Sequence, residues 1–118
     1  MSLLRKTLKE SGYSIHSVQE IPAKPTSYGE TPRLVKGAIK ADGLDLMLLT
    51  QVGGYERLYV QKTLKQSYPY RLALDVNPDD SFQLIILNQS GKKLPCNDLT
   101  EGLQKVIASA RQIKNIDP

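Results

Sequence analysis

One group of aromatic and basic side chains has the spacing of a nucleic-acid-binding surface. Tyr55, Arg57 and Tyr59 occur at alternate positions, so an extended strand would display all three on one face. Tyrosine rings on a sheet can stack unpaired bases, and an arginine between them can pair with phosphate. Tyr70 or Arg71 could join them from a neighbouring strand. The pattern predicts a single-strand-binding surface, and the alternative is that these are ordinary half-exposed strand residues.

A second group of basic side chains lies in the first third of the chain. The net charge of the protein is +4, and residues 1–40 hold seven basic and three acidic side chains. If they converge, these side chains would form a patch that tracks phosphates. The alternative is a solvated charged surface. The candidates are Arg5, Lys6, Lys9, Arg33, Lys36 and Lys40.

Catalytic and metal-binding patterns are missing from the sequence. His16 is the only histidine and Cys96 the only cysteine, so neither a histidine-rich metal site nor a clear nucleophile and base pair is encoded. The pair Gly53-Gly54 lacks the Lys-Ser/Thr of a phosphate-binding loop. We therefore expect a protein that is not an enzyme and takes no metal or cofactor.

Length and composition indicate one domain and no membrane partner. The 118 residues, 40% of them hydrophobic, fit a single domain spanning 1–118, and they would equally fit a domain of a longer chain. No apolar run approaches the roughly 20 residues of a membrane helix, and no signal peptide is visible. One cysteine cannot form an internal disulfide, which favours the cytoplasm.

Two helices are predicted, one at each end of the chain. Ser2 can cap a short helix that Gly12 would end. Asp98 can cap a longer one, with Glu101 three residues later as in a capping box. Leu99, Leu103, Val106, Ala110 and Ile113 then recur every three or four residues, and this spacing indicates an amphipathic helix that packs on the rest of the fold.

The residues between the helices predict an antiparallel sheet. Asp42-Gly43 would form a two-residue turn between strands at 34–41 and 44–52, and Gly53-Gly54 would lead into a third strand at 55–62. Prolines at 22, 25 and 32 indicate that residues 22–33 form a loop. Further strands are expected at 13–21, 70–76 and 81–88, and residues 92–97 are irregular with at most a short edge pairing.

The predicted fold is α+β, with an antiparallel sheet of five or six strands, a short N-terminal helix and the amphipathic C-terminal helix packed on the sheet. Strands 44–52 and 81–88 are apolar on both faces, so both faces need a cover. The N-terminal helix or a second copy of the chain could cover the face opposite the C-terminal helix. Two functions follow: a non-catalytic nucleic-acid-binding or accessory domain, or a module that binds itself or another protein.

Overall fold

A computed structural model describes residues 2–41, 43–60 and 71–116 of the chain. It confirms the α+β architecture, with a helix near each end of the chain and antiparallel strands between them. Asp42 of the predicted turn, Tyr70 and the ends of two predicted strands lie outside the described residues. The elements are α1 (Leu3–Glu10), β1 (Ile15–Ile21), β2 (Pro25–Thr26), β3 (Gly29–Glu30), β4 (Leu34–Ala41), β5 (Leu44–Gln51), β6 (Glu56–Val60), β7 (Leu72–Val76), β8 (Phe82–Ile86), β9 (Lys92–Leu94) and α2 (Leu99–Ile116).

The main sheet has seven strands in the order β1-β4-β5-β6-β7-β8-β9, and each neighbouring pair is antiparallel. Glycine supports the β4–β5 turn, where Gly43 has a φ of 77°, a conformation that residues with a Cβ seldom adopt. The short edge pairing considered for residues 92–97 is present as β9. With β9 paired, the sheet is slightly wider than expected.

Two local expectations need correction. Residues 22–33 were expected to form only a loop, but β2 and β3 pair there as a small hairpin. Gly29 reverses the chain at a φ of 114°, and the Thr31 amide donates to the Lys24 carbonyl at 2.8 Å. The strand expected over 81–88 ends at Ile86, because residues Leu87–Gln89 form a turn of 3-10 helix.

Side-chain caps begin both helices where the sequence predicts them. The Ser2 hydroxyl accepts the Arg5 amide at 3.2 Å, and the Asp98 carboxylate accepts the Glu101 amide at 2.7 Å. The Glu101 carboxylate accepts the Asn97 amide at 2.9 Å. That hydrogen bond and the Lys105 ammonium lower the pKa of Glu101. The caps satisfy amide groups that have no partner inside a helix.

One hydrophobic core lies between the sheet and the two helices. Leu4 and Leu8 of α1 and Leu103 of α2 belong to the same cluster as Leu46 and Leu58 of the sheet. Both helices therefore cover the same face of the sheet. The expectation that the N-terminal helix covers the opposite face is wrong, because its apolar stripe is buried beside α2.

Neither helix of the described residues combines the length and the apolar character needed to cross a lipid bilayer. The longer one, α2, carries Glu101, Lys105 and Arg111. Its apolar stripe is used within the core instead.

Shortening a core side chain of α2 tests this packing. Leu103 is 1% exposed, so Leu103→Ala should lower the free energy of unfolding by about 2 to 5 kcal/mol through lost burial and the cavity left behind. Gln104→Ala, at an exposed neighbouring position, should change it by less than about 0.5 kcal/mol. Urea unfolding followed by circular dichroism measures both, and equal small losses would place α2 outside the core.

Candidate nucleic-acid interface on the open face of the sheet

The sheet has a second face, opposite the two helices, which we call the open face. Met47, Ala73 and Ile85 are buried but do not belong to the core cluster under the helices. They alternate along their strands with residues that do belong to it, so they point to the opposite side. The sequence prediction that β5 and β8 are apolar on both faces is therefore confirmed.

Strand register arranges the open face in rows, because directly paired residues in an antiparallel sheet point the same way. Each row has an aromatic or basic residue of β6 near its centre and one lysine, which lies on β4 in the first row and on β9 in the second. The first row is Gln19, Lys36, Leu49, Arg57, Asp75 and Gln83. The second row is Ser17, Ala38, Met47, Tyr59, Ala73, Ile85 and Lys93.

Arg57 is held at the centre of the first row by a two-pronged ion pair. Its Nε lies 2.7 Å from Oδ1 of Asp75, and its Nη2 donates to Oδ2 at 2.8 Å. The hydrogen bond to Asp75 raises the pKa of Arg57. The guanidinium also lies over the Tyr55 ring, 5.7 Å from its centroid. Arg57 is thus neutralised within the protein and acts as a fixed planar part of the surface.

Arg71 holds the equivalent place beside the second row. Its guanidinium lies over the Tyr59 ring at 5.9 Å, and its Nη2 donates to the Val60 carbonyl at 2.7 Å. The Asn88 side chain accepts the Arg71 amide at 2.9 Å, and the Leu87 amide donates to the Arg71 carbonyl at 2.7 Å. These contacts hold both the backbone and the side chain of Arg71 in place. From the sequence, Arg71 is only a possible neighbour of the tyrosines, because its place follows from how β6 and β7 pair.

An open cavity lies where these groups meet. It has a volume of about 260 Å³ and is lined by Leu49, Arg57, Tyr59, Arg71 and Leu87. Two of the five are guanidinium groups and one is an aromatic ring, so its chemistry suits a planar or anionic group.

Three of the predicted basic residues lie on the other side of the sheet, on α1. Arg5 already forms an ion pair there. Its Nε lies 3.2 Å from Glu56 Oε2, and its Nη2 donates to the Thr50 hydroxyl at 3.2 Å. That hydroxyl donates to the same carboxylate at 2.8 Å. A larger cleft of about 670 Å³ adjoins this group, but its arginine and carboxylate already satisfy each other. Lys6 and Lys9 are exposed on the same helix.

The other three predicted basic residues flank or enter β4. Arg33 pairs with Glu20 at 3.0 Å on the surface. Lys36 and Lys40 pair in register with Leu49 and Asp45, which places both on the open face. The structure therefore brings Lys36 and Lys40 together with Tyr55, Arg57 and Tyr59, and separates them from Arg5, Lys6 and Lys9. Tyr70, the other aromatic neighbour considered, lies outside the described residues.

The two reactive residue types have ordinary surroundings. His16 is exposed, and its Nε2 lies 3.4 Å from the Ser14 hydroxyl. The Cys96 thiol donates to the Asp98 carbonyl at 3.0 Å, and burial raises its pKa, which disfavours the reactive thiolate. Among the residues the structure describes, no group of three or more histidine, cysteine or acidic residues is placed to hold a metal.

Comparison of this chain with protein-family models, curated proteins and solved structures finds no match.

The ion pair at the centre of the open face makes a testable contribution to stability. The side chain of Asp75 is 8% exposed and that of Arg57 is 28% exposed. Asp75→Ala leaves a half-buried guanidinium without its acceptor and should cost about 1 to 3 kcal/mol in urea unfolding. Glu20→Ala breaks the exposed pair with Arg33 and should cost less than about 1 kcal/mol. Equal effects would mean that the central pair contributes no more than a surface ion pair.

Proposed function

We propose that this protein is a non-catalytic nucleic-acid-binding or accessory domain that holds a single strand on the open face of its sheet. The observation that carries the proposal is the charge of that face. Within the described residues it combines five basic with two acidic side chains, a net charge of +3. The basic residues are Lys36, Lys40, Arg57, Arg71 and Lys93, and the acidic ones are Asp45 and Asp75.

The two tyrosines supply surfaces on which bases can stack. Tyr55 and Tyr59 are half-buried, so each ring is held in place and still accessible. Each lies against a guanidinium, from Arg57 or Arg71, and a guanidinium plane also stacks on bases. Stacking of this kind tolerates any base, which suits binding without sequence preference.

A single strand fits this surface better than a duplex does. Lys36 on β4 and Lys93 on β9 lie in neighbouring rows, and five strand spacings, or about 24 Å, separate their strands. Bases can reach rings that lie within a sheet only when they are unpaired and turned outward. Lys36 on β4 and Lys93 on the edge strand β9 would then contact the phosphate backbone, because they lie on either side of Arg57 and Tyr59.

We assign the protein no catalytic step, because neither His16 nor Cys96 is paired with a group that would activate it. We also place it in the cytoplasm. Its one cysteine needs no oxidising compartment.

Two double variants of equal net charge test which face binds. Four open-face cations make no ion pair within the described residues, which predicts a slope of about −2.8 for log affinity against log salt, at about −0.7 for each contact on a single strand. Lys36→Gln with Lys93→Gln should reduce the slope to about −1.4. Lys6→Gln with Lys9→Gln, on α1, should leave it unchanged.

Fluorescence anisotropy with labelled oligothymidylate at several salt concentrations measures these slopes. If the α1 variant loses as much slope as the open-face variant, binding runs through the N-terminal helix. If the unaltered protein binds no oligonucleotide at low salt, the proposed function is wrong.

A second candidate function, self-assembly, is favoured by the edge strand β1. It pairs only with β4 within the described chain, and Val18 is 66% exposed. Edge strands are commonly protected by charged side chains, proline, bulges or a covering segment. β1 has an irregularity between Ile15 and Ser17 and one acidic residue, Glu20, but neither lysine nor proline. A second copy could add its own β1 antiparallel about a two-fold axis at Val18, with Ser17 opposite Gln19.

This location differs from the apolar face that first suggested a dimer, where Met47 and Ile85 are already buried in the single chain. If β1 is the interface, Val18→Lys should convert a dimer to a monomer, because it places a charge on the pairing edge. Val52→Lys, at an exposed position in the β5–β6 turn, should leave the dimer intact. Sedimentation velocity at micromolar concentration distinguishes these, and a monomeric unaltered protein contradicts the candidate.

A further inference from the structure

Arg71 differs from the other open-face arginine in how its charge is compensated. Arg57 has the Asp75 carboxylate on two of its nitrogens, whereas no carboxylate of the described residues lies within ion-pair distance of Arg71. Its guanidinium has five N–H groups, and among the described residues the one acceptor it reaches is the Val60 carbonyl. The Nε of Arg71 is buried and has no hydrogen-bond partner.

A guanidinium in this state is costly for a folded protein. A buried donor without an acceptor loses its hydrogen bonds to water and receives none in return. The charge is likewise held partly out of water, and stacking on Tyr59 returns only a part of that loss. An anionic acceptor that reaches the accessible part of the guanidinium would recover part of this free energy, so Arg71 is suited to bind an anion.

The cavity beside Arg71 determines which ligand can reach it. At about 260 Å³ it admits a single small group, and the apolar side chains of Leu49 and Leu87 in its wall reduce competition from water. Arg57 adds a second guanidinium to the wall, already neutralised by Asp75. The cavity is thus left with one uncompensated positive charge and donors in a planar fork, an arrangement that matches the oxygens of a phosphate.

We propose that this cavity is a phosphate-binding site in which Arg71 is the main ligand. The proposal rests on the proposed function, since it makes the phosphate one unit of a bound single strand. Tyr59 would then contact both parts of a nucleotide. One side of its ring supports Arg71 under the phosphate, and the neighbouring base stacks on the rest of the ring. Asn88 fixes the backbone of Arg71 and thereby holds the fork in place.

The test uses the nitrogen NMR signal of the Arg71 side chain and inorganic phosphate as the probe. The Nε–H resonance is identified by its loss in Arg71→Lys. On addition of phosphate it should shift to a saturating value, while potassium chloride at equal ionic strength moves it little. The Nε–H of Arg33, which is exposed and paired with Glu20, provides the control within the same sample. A shift that does not saturate, or that Arg33 shows equally, overturns the proposal.

Oligonucleotide binding then distinguishes this proposal from the proposed function. Arg71→Lys keeps the charge but loses the planar fork, and it should weaken oligothymidylate binding about tenfold, because charge-assisted hydrogen bonds are lost. Unchanged oligonucleotide affinity in this variant overturns the phosphate site and leaves the open face intact as a binding surface. Saturable phosphate binding without any oligonucleotide binding supports the site and rejects the nucleic-acid function. A glutamate-rich peptide that displaces phosphate at lower concentration would overturn the assignment to phosphate in favour of a protein partner.

Discussion

The alternation of side chains along paired strands is the constraint on which the rest of this structure depends. Each strand residue points to one of two faces, and register makes that choice common to all seven strands. Because α1 and α2 share one core, alternating leucines of β5 through β8 are buried beneath them. The side chains of the other residues in these strands all point to the open face. A slip of one residue in β6 would move Leu58 out of the core and turn Arg57 and Tyr59 of the proposed site into it.

The same constraint determines how the positive charge of the protein is used. Arg5, on the helix side, is neutralised by Glu56 and contributes to holding α1 against the sheet. Arg57, on the open face, is neutralised by Asp75 and holds a tyrosine beside it. Paired arginines of this kind organise a surface without offering it a charge. The charge left for a ligand comes from lysines on β4 and β9 and from Arg71, so a net charge of +4 alone is a poor guide to where an anion binds.

On the open face, different residues would supply base stacking and phosphate contact, two roles that aromatic and basic residues often share. Tyr55 and Tyr59 are held by guanidinium groups, which reduces the ordering that a bound base would otherwise require. In the proposed function, Lys36 and Lys93 would contact the phosphates of any sequence. Such a surface would bind through stacking and charge, with little means of reading base identity. The exposed edge at β1 is independent of it, so assembly through β1 would extend the sheet and leave the open face accessible.

Local features of this protein could be predicted from the sequence because their causes are local. Capping by Ser2 and Asp98, the glycine at the β4–β5 turn and the apolar period of α2 each depend on residues a few positions apart. The strict alternation of Tyr55, Arg57 and Tyr59 likewise predicted that they share a face. Which basic residues join them could not be predicted, because it depends on contacts between distant segments: Lys36 reaches this face through its pairing with Leu49, and α1 carries Arg5 to the opposite one. The partners of Arg57 and Arg71 were hidden for the same reason, since charge and hydrogen-bond compensation depend on distances that only the packed sheet determines.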